Sequence, residues 1–357
     1  MPNFDIIRKT KHSESYRCTA TKGQFDIETT ESIERFTGKI DMPDKWSIGV
    51  ICGNSGTGKT TIAKELFPNN YIMCHDYVSE CVLDDFPKNM NLKDIHKILN
   101  TVGFSSPPSW LKPYSVLSTG EKMRVDIARA IASDEDLIVF DEFTSVVDRN
   151  VAQIGSAAIA KAIRKTEKQF IAVTCHFDII EWLEPDWVFD TNTMRFEVTR
   201  GRYRRPNIEI SICEKRGLWD MFKKYHYLAT NLNNSSKQYV GYYKGKPIVF
   251  TAVLPMIGVK NMRKEHRTVV LPDYQGVGIG SAFSDEIAKM YVENGYRYVS
   301  VTNNPAFIAR RTKSKNWVLK KYGRYSSHTG ISSNKNKHNR IKTSWEYVGG
   351  DNEDKQA

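Results

Sequence analysis

The run Gly53-Asn54-Ser55-Gly56-Thr57-Gly58-Lys59-Thr60-Thr61 decides the fold of the first part of this chain. It follows a short apolar strand, 46–52, and leads into a predicted helix, 59–66. Its glycines let successive backbone N–H groups point at a phosphate, to which the helix also presents the positive end of its dipole. The run therefore predicts a complete phosphate-binding loop, in which Lys59 contacts the phosphates and Thr60 holds Mg²⁺.

Two further motifs follow the loop: Leu117-Ser118-Thr119-Gly120-Glu121-Lys122, and Leu137-Ile138-Val139-Phe140-Asp141-Glu142. The first opens an amphipathic helix, with Ser118 in the N-cap position. The second is a short buried strand that ends in two carboxylates. Asp141 would bind Mg²⁺ through water, and Glu142 would orient or deprotonate an attacking water. A strand ending in two acidic residues can also be merely solvated.

The order of these motifs resembles that of the ATP-binding cassette (ABC) ATPases. The resemblance identifies Asp148 as the D-loop aspartate, and His176, after the apolar strand 170–175, as the switch histidine that contacts the γ-phosphate. It implies ATP and Mg²⁺ as ligands. It also implies an ATP-dependent homodimer in which Ser118 and Gly120 of one subunit cap the nucleotide of the other.

One element of the resemblance is missing, because no glutamine occurs between Lys59 and Ser118. ABC ATPases usually carry a glutamine there that senses Mg²⁺ and the attacking water. His75 or Asp76 stand about where it is expected. The segment between the two motifs is short, which predicts a reduced helical subdomain, and nothing in it suggests docking to a membrane partner.

A second glycine-rich run, Gln275-Gly276-Val277-Gly278-Ile279-Gly280, lies between a predicted strand, 266–272, and a predicted helix, 281–294. It resembles the acyl-CoA-binding loop of the GNAT acyltransferases. The resemblance implies acetyl-CoA or another acyl-CoA as a ligand, held by backbone amides at the start of the helix. A structural turn in a small α+β domain is the alternative. Phe307 occupies the region where many GNAT enzymes carry a tyrosine general acid, so the acid must be another group or water.

The segment from Trp219 to Leu228 resembles the first helix of Mom-type DNA-modifying GNAT proteins. His226 and Tyr227 are therefore candidates for acid–base chemistry on the acceptor side, although such a pair beside an amphipathic helix is as often packing. A basic and aromatic cluster further on would suit a phosphate backbone, or would simply be a solvated face. Its members are Arg310, Arg311, Lys313, Lys315, Trp317, Lys320, Lys321, Tyr322, Arg324 and Tyr325.

Charge is unevenly distributed along the chain. Residues 1–200 hold 24 basic and 29 acidic side chains, whereas residues 201–357 hold 28 basic and 12 acidic ones. This asymmetry favours a nucleic-acid partner for the second part, with DNA preferred over RNA. Solubility and affinity for the phosphates of CoA are the alternative explanation.

The 357 residues allow two domains with separate cores. We predict an α/β fold class, with a P-loop NTPase domain of the ABC type at 1–205, an α+β GNAT-like acyltransferase domain at 206–349 and a polar tail at 350–357. The start of the chain lacks an apolar signal region, no apolar run reaches membrane-spanning length, and the six cysteines show no CxxC pairing. These features predict a cytoplasmic protein without a membrane partner.

The sequence thus predicts an ABC-type ATPase coupled to an acyl-CoA-dependent transferase that modifies a nucleic acid. One rival is a nucleic-acid-binding ABC ATPase whose GNAT domain is a non-catalytic scaffold. Another is an N-acetyltransferase for a protein or small amine that ATP regulates.

Overall fold

The computed structural model describes residues 3–72, 75–199, 201–204, 206–226, 231–324 and 341–349. Its contacts divide the chain into two compact units. The first comprises 1–76 and 126–204, and the second comprises 77–125 and 205–357. The segment 77–125, which lies inside the first predicted domain, groups by its contacts with the second unit. Arg205 and the predicted tail 350–357 lie outside the described residues.

The strands are, in chain order, β1 (Asn3–Lys11), β2 (Glu31–Lys39), β3 (Ile48–Cys52), β4 (Tyr71–Ile72), β5 (Leu137–Phe140), β6 (Gln169–Thr174), β7 (Trp187–Asp190), β8 (Arg195–Val198), β9 (Ser211–Glu214), β10 (Lys237–Tyr243), β11 (Lys246–Pro255), β12 (Met262–Val270), β13 (Arg297–Thr302), β14 (Trp317–Arg324) and β15 (Ile341–Tyr347).

The α-helices are α1 (Tyr16–Gln24), α2 (Lys59–Leu66), α3 (Leu92–Thr101), α4 (Pro107–Trp110), α5 (Thr119–Ala132), α6 (Arg149–Ile163), α7 (Asp178–Leu183), α8 (Trp219–Phe222), α9 (Ile279–Glu293) and α10 (Pro305–Thr312). Short 3₁₀ turns occur at Val82–Asp85, Tyr114–Val116, Lys223–Tyr225 and Pro272–Tyr274. Within the described ranges, no helix is long and apolar enough to cross a membrane.

The first unit contains a six-stranded sheet in the order β4-β5-β6-β3-β7-β8. The first five strands in this order are parallel to one another, and β8 is antiparallel to β7. The central strands β3 and β6 are almost wholly buried, as expected for parallel strands that are covered on both faces. Because the carboxyl ends of parallel strands meet at one edge, the motifs that follow β3, β5 and β6 are brought together there.

An antiparallel ribbon of β1 and β2 also belongs to the first unit, with Asn3 opposite Lys39. Most of its side chains are exposed, but Phe4 and Phe36 are buried in the core of the unit. Phe4 packs edge-on against Phe189 of β7, with ring centroids 5.8 Å apart. The ribbon therefore contributes two aromatic side chains to the core beside the phosphate loop.

The second unit contains a seven-stranded sheet in the order β14-β15-β13-β12-β11-β10-β9. Neighbouring strands in this sheet are antiparallel except β12 and β13. These two run parallel, and β12 pairs with β13 only from Met262 to Glu265. Since β12 continues to Val270 and β13 to Thr302, the two strands part at their carboxyl ends. Helix α9 follows β12 at that end of the sheet. The predicted fold class, an α/β P-loop domain followed by an α+β domain, is confirmed.

Candidate nucleotide and acyl-donor sites

Two glycines set the backbone of the first loop. Gly56 and Gly58 have φ values of 84° and 86°, in the left-handed region that side chains other than glycine rarely adopt. Gly58 is the N-cap of α2, and a Cβ there would lie 2.4 Å from the Phe36 ring. Any larger residue at 58 would therefore both strain the backbone and force the Phe36 ring to move.

The polar groups of this loop converge on one carbonyl. The Lys59 ammonium donates to the Asn54 carbonyl at 2.6 Å, and the Thr57 hydroxyl donates to the same oxygen at 2.9 Å. Asn192, from the turn after β7, accepts from the Asn54 amide at 3.0 Å. A lysine held across an anion-binding loop at a helix start fits the phosphates of a nucleotide.

Asp141, directly after β5, is buried and accepts two hydroxyl donors on one oxygen. Thr60 Oγ1 donates to Asp141 Oδ2 at 2.9 Å, and the Tyr71 hydroxyl donates to the same Oδ2. Burial and the Asp141 carboxylate raise the pKa of the Tyr71 phenol, so it remains a donor. A carboxylate beside a threonine hydroxyl supplies the hard oxygen ligands that Mg²⁺ prefers, so these residues fit the predicted metal.

Glu142 and His176 each follow an apolar strand, as predicted, and these strands, β5 and β6, are neighbours in the sheet. Glu142 is exposed with a φ of 52°, a left-handed conformation that is uncommon for a non-glycine residue and that clusters at functional sites. The Phe143 amide donates to the Val173 carbonyl at 2.9 Å, and the Thr174 hydroxyl donates to the Phe143 carbonyl at 3.1 Å. These bonds tie the turn that bears Glu142 to the end of β6, two residues before His176.

His75 and Asp76, which stand about where the glutamine is expected, are both hydrogen-bonded to residues of α5. His75 Nε2 lies 3.2 Å from the Asp126 carbonyl, and burial lowers the pKa of this imidazole. The Asp76 carbonyl accepts from Arg129 at 2.7 Å. Tyr71, which the sequence analysis passed over, bonds to Asp141 instead. The signal available in the sequence was its place at the start of a short apolar stretch, ahead of the strand that ends in Asp141.

Asp148 forms the N-cap of α6, where its side chain accepts from the Asn150 amide at 3.0 Å. The next residue, Arg149, pairs with Asp178 at the start of α7. These contacts fix the turn between β5 and α6. The predicted D-loop role of Asp148 remains a prediction.

Ser118 caps the start of α5, as predicted. Its hydroxyl accepts from the Glu121 amide at 3.3 Å, and Glu121 Oε2 accepts from the Ser118 amide at 3.0 Å. This reciprocal capping box explains the glutamate at 121, because either glutamate or glutamine can complete it. Gly120 is buried in the first turn. The predicted contacts of Ser118 and Gly120 with a partner's ATP stay predictions.

Within the second unit, the segment 77–125 is bonded to the turn that precedes the second glycine loop. The fully buried Arg124 donates to the carbonyls of Pro272 and Asp273, the latter at 2.9 Å. The Ser105 amide donates to Gln275 Oε1 at 2.7 Å, and Gln275 Nε2 donates to the Val270 carbonyl at 2.8 Å. The side chain of Gln275, a predicted cofactor residue, is thus engaged in a bridge between the segment and β12.

The second glycine loop repeats the backbone geometry of the first. Gly276 and Gly278 have φ values of 91° and 90°, and Gly278 is the N-cap of the 15-residue helix α9. Val277 and Ile279 are buried. A Cβ on Gly280 would lie 2.9 Å from a methyl group of Val270, so the helix packs closely on β12. Backbone amides at the start of a helix fit the pyrophosphate of CoA.

His266 lies where β12 parts from β13. The register between β11 and β12 shifts at this residue, since Ala252 faces Arg267 and Val253 faces Glu265. Burial first, then Arg267 and Lys264, lower the pKa of His266 to about 4, so the imidazole is neutral at neutral pH. Its buried Nε2 has no hydrogen-bond partner among the described residues. No sequence motif contains this residue.

The predicted basic and aromatic cluster is only partly at the surface. Arg311 is 3% exposed and donates to Glu265 at 2.9 Å, and Trp317 is 4% exposed. Burial favours a raised pKa for Glu265, but Arg311 and nearby hydroxyls lower that pKa below its ordinary value. The expectation that Arg311 contacts phosphates and Trp317 stacks on bases is therefore wrong, because both are internal. The exposed members of the cluster are Arg310, Lys313, Lys315, Lys320, Lys321 and Tyr322.

His226 is positioned by aromatic packing. Its ring lies edge-on to Trp219, with centroids 6.0 Å apart, after the short helix α8 and a 3₁₀ turn. Trp219 itself packs on Phe250 of β11. Tyr227, Tyr325 and the side chain of Arg324 lie outside the described residues. The acid–base role of His226 stays a prediction.

No protein-family profile matches the chain. The chain is 26% identical over 162 residues to a probable ATP-binding cassette sub-family F member 3 homolog of Encephalitozoon cuniculi, covering 43% of this chain and 27% of that protein. It is 30% identical over 100 residues to the methionine import ATP-binding protein MetN 2 of Rhodococcus jostii, covering 28% of each. Among solved structures, it is similar to an IAA acetyltransferase from Bacillus cereus, with 14% identity, a TM-score of 0.30, and coverage of 39% of this chain and 99% of that one.

These matches relate part of the chain to the ABC ATPases, the class that the order of the motifs predicted. The chain spans only about a quarter of the length of these two curated relatives. Fold and site together define a unit with a P-loop at the carboxyl edge of a parallel sheet, and an α+β unit with a glycine loop at the start of a helix.

Proposed function

We propose that the chain is an ABC-type ATPase whose ATP-dependent dimerisation controls an acyl-CoA-dependent transferase, and that the acceptor is a nucleic acid, with DNA favoured. The dimer follows from the resemblance, in which Ser118 and Gly120 of one subunit cap the ATP of the other. Closure of that dimer would move or order the segment 77–125.

In the ATPase, Lys59 and the backbone of the first loop would hold the phosphates, and Thr60 and Asp141 would hold Mg²⁺. Bound Mg²⁺ would neutralise phosphate charge during transfer to water. Glu142, exposed at the end of β5, would accept a proton from the attacking water, and His176 would contact the γ-phosphate.

In the transferase, the loop Gly276–Gly280 would hold the CoA pyrophosphate through backbone amides. A nucleophilic nitrogen of the acceptor would attack the thioester carbonyl, form the new C–N bond and release the CoA thiolate. The acceptor's proton must then reach that thiolate or a base. His226 remains the candidate base from the sequence, and the neutral His266 is the candidate from the structure.

The coupling between ATPase and transferase is supported by the hydrogen bonds that Arg124, in the segment 77–125, donates to the turn before the second loop. Arg124 lies six residues after Ser118 on one continuous helix and donates to the carbonyls of Pro272 and Asp273. Hydrogen bonds from a charged donor contribute about 1.5–3 kcal/mol each, more than neutral ones. A displacement of the helix start would therefore be transmitted to the residues that immediately precede Gly276.

Acetyl transfer to duplex DNA with and without ATP tests the coupled activity. We expect release of CoA thiol and an acetylated nucleoside, detected by mass spectrometry, that require both DNA and ATP·Mg²⁺. A transfer rate that is independent of ATP would contradict the coupling. Acetylation of added protein or polyamine in place of DNA would favour that rival acceptor, and the absence of any transfer would favour the scaffold.

The nucleic-acid acceptor is supported by the excess of basic over acidic residues in 201–357 and by the exposed Lys313, Lys315 and Lys321. Each phosphate that a protein neutralises adds about −0.9 to the slope of log affinity against log salt on duplex DNA. Replacing these three lysines by alanine should flatten the slope by up to about 2.7. The equally exposed Lys9, Lys11 and Lys88, replaced together, are the control. Equal slopes for both triple variants would show that Lys313, Lys315 and Lys321 do not contact the DNA phosphates.

A further inference from the structure

None of the residues in the recognised motifs takes over the role of the missing glutamine. The resemblance gives that glutamine the task of sensing Mg²⁺ and the attacking water, yet none occurs between Lys59 and Ser118. A working ATPase with this sequence needs another group beside the metal. This requirement rests on the proposed ATPase function.

Tyr71 reaches the metal-binding carboxylate from the neighbouring strand. It lies on β4, which pairs in parallel with β5 so that Tyr71 is opposite Val139, two residues before Asp141. Its hydroxyl donates to Asp141 Oδ2, the oxygen that also accepts from Thr60 Oγ1 at 2.9 Å. The Lys64 ammonium lies over the Tyr71 ring, 4.9 Å from its centroid, and holds the ring from α2.

Asp141 is only 6% exposed, so its carboxylate oxygens need hydrogen-bond donors in the interior. Thr60 would turn its hydroxyl oxygen toward Mg²⁺, and Tyr71 is the second donor. With both donors on Oδ2, Oδ1 is the oxygen that can turn to a metal-bound water. Groups that orient a metal ligand in this way typically contribute 10–100-fold to metal affinity or activity.

We propose that Tyr71 is a positioning residue for Mg²⁺: it orients the Asp141 carboxylate and so performs part of the task of the missing glutamine. The phenol acts through Asp141 rather than on the nucleotide itself. Its contribution should therefore appear in the response to Mg²⁺ and be absent from Mg²⁺-free nucleotide binding.

Binding of a fluorescent ATP analogue, titrated with Mg²⁺ and repeated in EDTA, tests this proposal. Tyr71→Phe keeps the ring and removes only the hydroxyl. We expect it to raise the Mg²⁺ concentration for half-maximal binding about tenfold or more and to leave binding in EDTA unchanged. Tyr16→Phe is the matched control, because Tyr16 is 86% exposed on α1.

A double-mutant cycle separates positioning from general destabilisation. In an Asp141→Asn background, Tyr71→Phe should have no further effect on the Mg²⁺ midpoint, since the two groups act as one unit. Equal Mg²⁺ midpoints for wild type, Tyr71→Phe and Tyr16→Phe would overturn the proposal while leaving the ATPase intact. A wild-type protein that binds no nucleotide at any Mg²⁺ concentration would overturn the proposed ATPase and this inference together.

Discussion

The two glycine loops have the same backbone conformation at their helix starts and differ in the side chains around it. Gly58 and Gly278 both cap their helices in the left-handed conformation, with φ values of 86° and 90° and no side-chain cap. The first loop is followed by Lys59 and Thr60 and faces Asp141. The second contains the apolar Val277 and Ile279 on either side of Gly278.

The charged residues near the second loop serve the scaffold. Arg124 is hydrogen-bonded to the turn before it, and Arg311 is hydrogen-bonded to Glu265 of β12. In the proposed function, the backbone supplies an anion site in each unit, and the side chains decide which anion binds. A triphosphate needs a metal and a lysine, whereas the pyrophosphate of CoA can be held by amides alone.

Removing the predicted proton acceptor of the ATPase, Glu142 after β5, should have the largest effect. Glu142→Gln should lower kcat for ATP hydrolysis by about 10²–10⁴-fold, because it removes the proton acceptor, while ATP binding persists. Size-exclusion chromatography with light scattering should show an ATP-dependent dimer. Glu65→Gln, at an exposed position on α2, is the control. Wild-type turnover, or a monomer in saturating ATP, would contradict the assignment.

Breaking the buried pair of the second unit comes next. Arg311→Met leaves Glu265 charged and buried, so the free energy of unfolding in urea should fall by about 3–5 kcal/mol. Lys313→Met changes an exposed neighbour and should have little effect. If the two variants are equally stable while only Arg311→Met loses DNA binding, Arg311 is a phosphate contact after all.

A side chain in the second loop should have a smaller effect, confined to its ligand. Gly278→Glu places an L-residue in the left-handed region, at a cost of about 1–2 kcal/mol, and adds a like charge beside the pyrophosphate. Acetyl-CoA affinity by calorimetry should fall about tenfold or more, while ATP affinity is unchanged. Gly295→Glu carries the same backbone strain, with a φ of 80° in open space, and should keep acetyl-CoA binding. Equal losses in both variants would assign the effect to folding.

Local patterns predicted much of the fold. The helix after the first loop was predicted at 59–66 and occurs there, and the helix after the second loop was predicted at 281–294 and occurs at 279–293. In each case a glycine or turn cluster separates runs of clear periodicity. The N-terminal ribbon was missed because its strands are mostly polar and a 19-residue segment separates them.

Features that depend on distant residues were not predictable. In the sequence, Arg311 looks like part of a basic surface, because its buried partner Glu265 is distant along the chain. The strand β14 was interpreted as a charged patch because it is an edge strand that carries lysines. The grouping of 77–125 with the second unit rests on side-chain bonds across some 150 residues of sequence, from Arg124 and Ser105. Tyr71 likewise gains its partner only when β4 pairs with β5.

Calorimetric titration of acetyl-CoA into the Glu142→Gln protein, with and without saturating ATP·Mg²⁺, tests the coupling most directly. Coupling free energies of about 1–3 kcal/mol are typical, so ATP should change acetyl-CoA affinity at least about fivefold. Acetyl-CoA must then change ATP affinity by the same factor. Arg124→Met should reduce both factors toward one while both ligands still bind. Equal acetyl-CoA affinities with and without ATP would contradict the account.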